Sequence, residues 1–309
     1  MPFIPLRALT ESVKGSWPHV GLALATLLWS GNFIVGRALR DDLGPLELNF
    51  LRWLLALMVL APFTLGALLR QWSTLRKHPV LVLGLGLSGI AVPHACVYAA
   101  LRMTSPVNAL LLMSLTPLLI LIGARIAFGQ PIQRRQWAGV AVSTLGAGAL
   151  VTHGSFQSLL ALEFGLGDLW MLPAIVAAAA QALLLRRTPP GVGQGALLLA
   201  SVVAALAAML VAMLLLGATT FRLERLNHDA LAGLAYVGVL ASAVAFALWN
   251  RGVERIGPHR AAPYLYLMPL YGAILSFLVL DEGISGLQCV AGGLVLLGLW
   301  LSRPTRPAR

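Results

Sequence analysis

Apolar residues run along this chain in long blocks broken by short polar interruptions. The blocks lie at about 18–38, 46–69, 80–101, 106–128, 136–152, 166–185, 192–217, 230–250, 260–280 and 286–302. Most approach the roughly 20 residues that an apolar helix needs to cross a bilayer. They predict ten transmembrane helices with short connections, the fifth and tenth being the shortest, and no large soluble domain between them. The first block has no small-residue cleavage site behind it and another block follows at once, so it is expected to stay as a helix rather than be removed as a signal peptide.

Two blocks carry the same phrase. "SLTPLLILIGARIAFGQP" runs from Ser114 to Pro131, and "YLMPLYGAILSFLVLDEG" runs from Tyr266 to Gly283. Laying residues 80–150 over 232–302 without a gap sets Pro106 on Pro258, Pro117 on Pro269, Gln136 on Gln288, Gly86 on Gly238 and Gly146 on Gly298. The first and sixth blocks also align, with Asn32 opposite Gln181 and Arg37 opposite Arg186. The chain therefore divides into one repeat over 18–152 and a second over 166–302, each of five helices. Five is odd, so the second repeat enters the membrane from the opposite side. The expected fold is an all-α polytopic membrane protein with ten transmembrane helices in two inverted five-helix repeats. That architecture belongs to secondary transporters, which hold their substrate near the midplane between the halves. Pro117 and Pro269, at matching points of oppositely directed helices, are the expected hinges; the alternative is a pair of static kinks that only shape packing.

Composition supports lipid as the solvent. The chain is 59% hydrophobic and 11% charged, against about 25% charged in soluble domains, and its mean hydropathy is +0.85. A net charge of +11 could suit nucleic acid, but its distribution argues otherwise. With the amino terminus inside, sixteen of the 22 Lys and Arg fall on the side that holds both termini, and five on the other. This is the positive-inside pattern. Both termini are expected in the cytoplasm, with anionic lipid rather than nucleic acid as the partner of the basic loops. Cys96 and Cys289 show neither disulfide nor metal spacing, and both are expected to be small buried residues.

Polar and aromatic side chains inside the blocks are the candidate chemistry. Asn32 shares a helical face with Trp29 and Gly36. His94 and Tyr98 share a face of the third block, and their repeat counterparts are Phe246 and Asn250, with Trp249 adjacent and Ser242 one turn earlier. Tyr264, Met268 and Tyr271 form a stripe on the ninth. An aromatic lining with polar tips suits a small amphipathic solute; packing is the bland alternative for each stripe. Arg52 could hold a substrate carboxylate, but its expected place near the outer interface favours a structural role, neutralised by Glu47. Trp170 and Tyr236 lie near predicted helix ends and are expected as interfacial anchors. No Asp or Glu occupies the central turns of a block, which leaves His94 as the one candidate for a proton relay and leaves exchange or facilitated diffusion equally open. No catalytic residue, metal site or cofactor is expected. A polytopic membrane enzyme is the competing class, and it would need a His/Glu cluster or a nucleophile–base pair that the sequence does not show.

"LLWSGNFIVGRAL" (27–39), "FLRWLLAL" (50–57), "YAALRMTSPVNALLLMSLTPLL" (98–119) and "DEGISGLQCVAGGLVLLGLW" (281–300) resemble the EamA-domain branch of the drug/metabolite transporter superfamily. The likeness runs from about residue 18 to 302 and covers both repeats. It implies a ten-helix carrier of the bacterial inner membrane that moves small metabolites, most often outward, with the YddG-type amino-acid exporters as the nearest branch; drugs, nucleosides or sugar-like solutes are the alternatives within the superfamily. The expected unit is a monomer. The family usually places a Glu at the end of the fourth and ninth helices. Glu282 matches it, whereas Gln130 stands in the first half.

Overall fold

The computed structural model describes residues 6–104, 106–129, 131–151, 165–217, 227–280 and 286–302, and all regular structure among them is helical. Lipid forces this outcome, because a backbone without water must satisfy its own donors and acceptors. In chain order the elements are α1 (Leu6–Ala38), α2 (Pro45–Leu75), α3 (Pro79–Gly86), a π-helical segment (Leu87–Ala91), α4 (Val92–Met103), α5 (Pro106–Met113), α6 (Thr116–Phe128) and α7 (Arg134–Val151). There follow α8 (Leu166–Leu169), α9 (Met171–Leu185), α10 (Gln194–Leu215), α11 (His228–Ala235), a second π segment (Tyr236–Val244), α12 (Ala245–Ile256), α13 (Pro258–Ala261), a 3-10 segment (Ala262–Tyr266), α14 (Leu267–Leu280) and α15 (Gly286–Leu301).

Local chemistry sets the boundaries. Pro45, Pro79, Pro106 and Pro258 open their helices, where a missing N–H leaves nothing unpaired. Gly129 and Gly257 follow helix ends at φ +63° and +84°, a region that glycine enters without strain. Asn227 caps the start of α11, its side-chain oxygen accepting from the Ala230 N–H at 2.8 Å.

Among the described residues, seven stretches are long and apolar enough to cross a membrane: Trp17–Ala38, Pro45–Leu75, Pro79–Met103, Ala109–Phe128, Leu166–Leu185, Gln194–Leu215 and His228–Ile256. The protein is therefore a multi-pass membrane protein. Large apolar side chains such as Phe63, Val80, Ile126 and Leu215 project from the bundle, where acyl chains are as good a solvent as a core.

Contacts repeat at the offset found in the sequence. α1 packs on α12 and the second π segment, and α9 packs on α4 and the first π segment. α2 lies on the second π segment as α10 lies on the first, and α1 meets α14 as α9 meets α6. The closest pair is α7 with α15. A Cβ on Gly146 would lie 2.8 Å from the Ala291 carbonyl oxygen, and one on Gly139 would lie 2.6 Å from that of Gly298. Ser143 Oγ donates to the Val295 carbonyl at 3.3 Å, across 152 residues. Small residues are what allow two backbones to approach so closely in lipid.

Three expectations need adjustment. Pro117 and Pro269 are not in helix interiors: the fourth block breaks at Ser114–Leu115, and Pro117 is the second residue of α6, while Pro269 is the third residue of α14, just after the 3-10 segment. In a first turn the missing N–H has no intrahelical partner to lose. Cys96 is buried as expected, but Cys289 is exposed, because α15 turns that face away from α7. Tyr236 is no interfacial anchor; its hydroxyl donates to the Leu28 carbonyl at 2.9 Å and its ring lies over Gly31. Gln130 and Glu282 lie outside the described residues.

The α7–α15 seam gives a stability prediction. Gly146→Ala and Gly298→Ala should each lower the thermal midpoint in detergent, in line with roughly 1–3 kcal/mol of overpacking. Gly293→Ala, on the same helix with nothing within 4 Å, should be neutral or stabilising. Equal behaviour of the three variants would show that the seam is not tightly packed.

Candidate functional site

A cavity of about 70 Å³ lies among α1, α4, α9 and α12. Trp29, Asn32 and Phe33 face it from α1, His94 and Val97 from α4, Gln181 from α9, and Phe246 and Trp249 from α12; Met113, Thr116, Leu265 and Met268 complete the wall. The aromatic side is rigid. Trp29 meets Phe246 and Trp249 at centroid distances of 5.2 Å, and Phe246 meets His94 at 5.6 Å and Trp53 at 4.8 Å, the last nearly edge-on at 81°. Edge-to-face packing of this kind adds to simple burial. Trp29 Nε1 donates to the Ala241 carbonyl at 3.0 Å, in the second π segment. His94 Nδ1 lies 3.2 Å from the Ile90 carbonyl, in the first. π turns recur at functional sites because they re-aim side chains and carbonyls.

Arg52 stands directly behind this wall and is completely buried. Nε donates to Ser242 Oγ at 2.7 Å, Nη1 to Asn32 Oδ1 at 3.0 Å and Tyr98 OH at 2.6 Å, and Nη2 to the Ala241 carbonyl at 3.3 Å. Among the described residues no carboxylate pairs with it; Glu47 instead accepts from the Gly44 N–H at 2.8 Å, and the ion pair found joins Arg40 to Asp41. The expected interfacial position with Glu47 as partner is thus replaced by a buried one with neutral acceptors. The sequence could not show this, since the acceptors come from α1, α4 and the second π segment.

The network orients Asn32. Arginine only donates, so the Asn32 atom facing Arg52 must be the oxygen, and Tyr98 donates to the same oxygen at 2.8 Å. Asn32 Nδ2 has no partner among the described residues, so its N–H groups are left free of the network. Gly36 makes room for the Tyr98 ring, where a Cβ would stand 2.6 Å from the ring edge. The other repeat has the corresponding pair: Gln181 Nε2 donates to Asn250 Oδ1 at 3.0 Å, and Gly89 makes room for Gln181.

Of the residues singled out from sequence, Asn32, His94, Phe246, Trp249 and Met268 line the cavity. Tyr98 and Ser242 lie one layer back, on Arg52. Asn250 borders a narrower adjoining space and reaches the cavity through Gln181. Tyr264 is turned towards α1, its hydroxyl 2.6 Å from His19 Nδ1, and Tyr271 is half-buried in α14 outside the lining. The 3-10 segment before Leu267 breaks the helical phase on which the Tyr264–Met268–Tyr271 stripe depends. Pro117 and Pro269 are buried near the wall without lining it. Gln181 was missed as a lining residue, although its alignment with Asn32 carried the signal. Among the described residues no Asp or Glu faces the cavity.

Comparison with known proteins fits this geometry. The model of the EamA-like transporter family matches twice, over residues 16–152 and 165–303. The chain is 28% identical over 248 residues to YyaM, an uncharacterized transporter of Bacillus subtilis (79% of this chain, 78% of that one). It is 26% identical to a probable amino-acid metabolite efflux pump of Escherichia coli (90% and 92% covered) and 25% identical to a probable terminal-alkyne amino-acid exporter of Streptantibioticus cattleyicolor (93% of each). A solved crystal structure shares the fold with a TM-score of 0.72 at 21% identity, covering 93% of this chain and 96% of that one. With two matches that together take in most of its length, the chain belongs to the EamA-like transporter family.

Proposed function

We propose that this protein is a secondary carrier that exports small amphipathic metabolites, amino acids or related compounds, across the bacterial inner membrane. It works as a monomer, by alternating access between two inverted repeats of five transmembrane helices, 18–152 and 166–302, with both termini in the cytoplasm. The observation that carries this reading is the paired polar contact beside the cavity. Asn32–Tyr98 and Gln181–Asn250 occupy corresponding positions of the two repeats, so one pair can close each end of a shared path. The names of the efflux pump and the exporter support the solute class.

The lining supports the same reading. Trp29, Phe246, Trp249 and Met268 offer an apolar bed, and the free amide hydrogens of Asn32, polarised by Arg52, favour an oxygen-rich end such as a carboxylate. Pro117 and Pro269 sit at the breaks before α6 and α14, where a change of backbone angle needs no helical bond to rupture. His94 is the titratable side chain on the wall that could couple a proton.

Alkaline-phosphatase fusions after residue 160 or 224 should be active, and those after 76, 188 or 309 inactive; the reverse pattern would refute the orientation. In proteoliposomes, Trp249→Ala and His94→Ala should weaken amino-acid counterflow by about tenfold, near the effect of losing 1.4 kcal/mol, at normal expression. Tyr271→Phe should leave it unchanged. Wild-type flux that lacks saturation and counterflow would indicate a channel instead. Arg52→Lys keeps the charge but loses the planar fork. It should reduce thermal stability by about 2 kcal/mol through unsatisfied buried acceptors, and a melting curve like that of the wild type would show that the network is dispensable.

A further inference from the structure

A second recess of about 440 Å³ lies where the chain turns from α9 into α10 and from α12 into α13. Arg186, Gln194, Glu254, His259 and Arg260 border it. Gln194 is only 6% exposed, yet among the described residues neither Oε1 nor Nε2 has a hydrogen-bond partner. A buried amide with both ends unmet is strongly disfavoured, and a turn of the Gln194 side chain towards the recess would let a polar ligand complete it. Gln194 is also the first residue of the 22-residue α10, whose preceding Gly193 offers no side-chain cap and gives its own N–H to Gln71 Oε1 at 2.8 Å; the positive end of the helix dipole lies here.

The charges around the recess are mixed. Arg186 is steadied over the Phe128 ring at 4.7 Å. Burial, with Arg260 and Arg186 nearby, lowers the His259 pKa to about 4, so this imidazole is neutral at pH 7; its Nδ1 has no partner among the described residues. Glu254 supplies the opposing carboxylate. Two guanidinium groups, one carboxylate and a two-sided amide suit a small zwitterion better than a polyanion. Its carboxylate would face the arginines and the start of α10, and its ammonium would face Glu254.

The recess is in line with the central cavity. Leu185 borders both the recess and a narrow intermediate space. Gly89, Gln181 and Phe246 border both that space and the central cavity. The Gln181–Asn250 hydrogen bond lies between them.

We infer that the recess at Gln194 is a loading site, which binds the zwitterionic head of an amino acid on the Arg186–Arg260 face before it passes the Gln181–Asn250 pair. This rests on the amino-acid carrier reading above. The test uses the full chain in phosphatidylcholine proteoliposomes with radiolabelled leucine, phenylalanine and threonine, each offered separately from either face. The double variant Arg186→Gln/Arg260→Gln, and Gln194→Leu alone, should raise KM about tenfold from the arginine face only, with maximal counterflow within about twofold of wild type. Gln194→Leu should melt no lower than wild type, since it removes an unmet amide, so its weaker binding cannot be blamed on misfolding. Wild-type counterflow with unchanged KM in these variants would overturn the loading site and leave the carrier reading intact. Absence of counterflow, with binding that still depends on Arg186 and Gln194, would overturn the carrier reading alone; neither binding nor counterflow would overturn both. Sensitivity of the double variant to added phosphatidylglycerol, without any change towards the amino acids, would assign the recess to a lipid phosphate and overturn the proposal.

Discussion

A guanidinium that cannot lose its proton and, among the described residues, has no carboxylate beside it is the constraint on which the centre of this protein depends. Burying an isolated ion is disfavoured by several kcal/mol unless every donor is met. Arg52 comes close to that demand: four of its five N–H donors, with at least one on each nitrogen, are taken by Asn32, Tyr98, Ser242 and the Ala241 carbonyl. These acceptors belong to α1, α4 and the second π segment, so satisfying one side chain on α2 fixes three elements at once. The cavity wall inherits its spacing from that requirement. Asn32 is held with its oxygen turned back, and Trp29 shares the Ala241 carbonyl.

Around this centre the chain uses the same contact twice. Tyr98 with Asn32 and Asn250 with Gln181 are the same position pair in the two repeats, filled by different side chains. Gly86 approaches the Ser201 carbonyl in one repeat as Gly238 approaches the Arg52 carbonyl in the other. The divergence is informative. The Arg52 side carries a permanent charge and four hydrogen bonds, whereas the opposite pair is a single amide–amide bond between neutral groups. The two pairs share geometry but differ in how strongly they are held. The recess bordered by Arg186 and Arg260 lies beyond the weaker pair.

Much of the fold was legible because lipid imposes a single rule on the backbone. A long apolar block must be a helix whatever it packs against, and prolines at 45, 79, 106 and 258 open helices at or just before the starts of four blocks. The repeat was legible because glycines and prolines constrain the backbone directly, so their positions persist while apolar side chains exchange freely. The helix breaks were not legible. Ser114–Leu115 and the 3-10 turn at Ala262–Tyr266 interrupt segments whose apolar character is continuous, and hydropathy does not register a change of helical phase.

The sequence by itself determined the solvent, the helical class, the twofold repetition and five of the cavity residues: Asn32, His94, Phe246, Trp249 and Met268. Each of these follows from periodicity along one helix or from alignment of the two halves. Only the tertiary structure decided that Arg52 is a buried hub, that Tyr98 and Ser242 serve it from behind the wall, that Tyr264 turns to His19, and that Gln194 is left unmet in a second recess. The reason is physical. A hydrogen bond is completed by whatever group arrives from another helix, and the separations here, from 20 to 245 residues, are set by packing rather than by any local pattern.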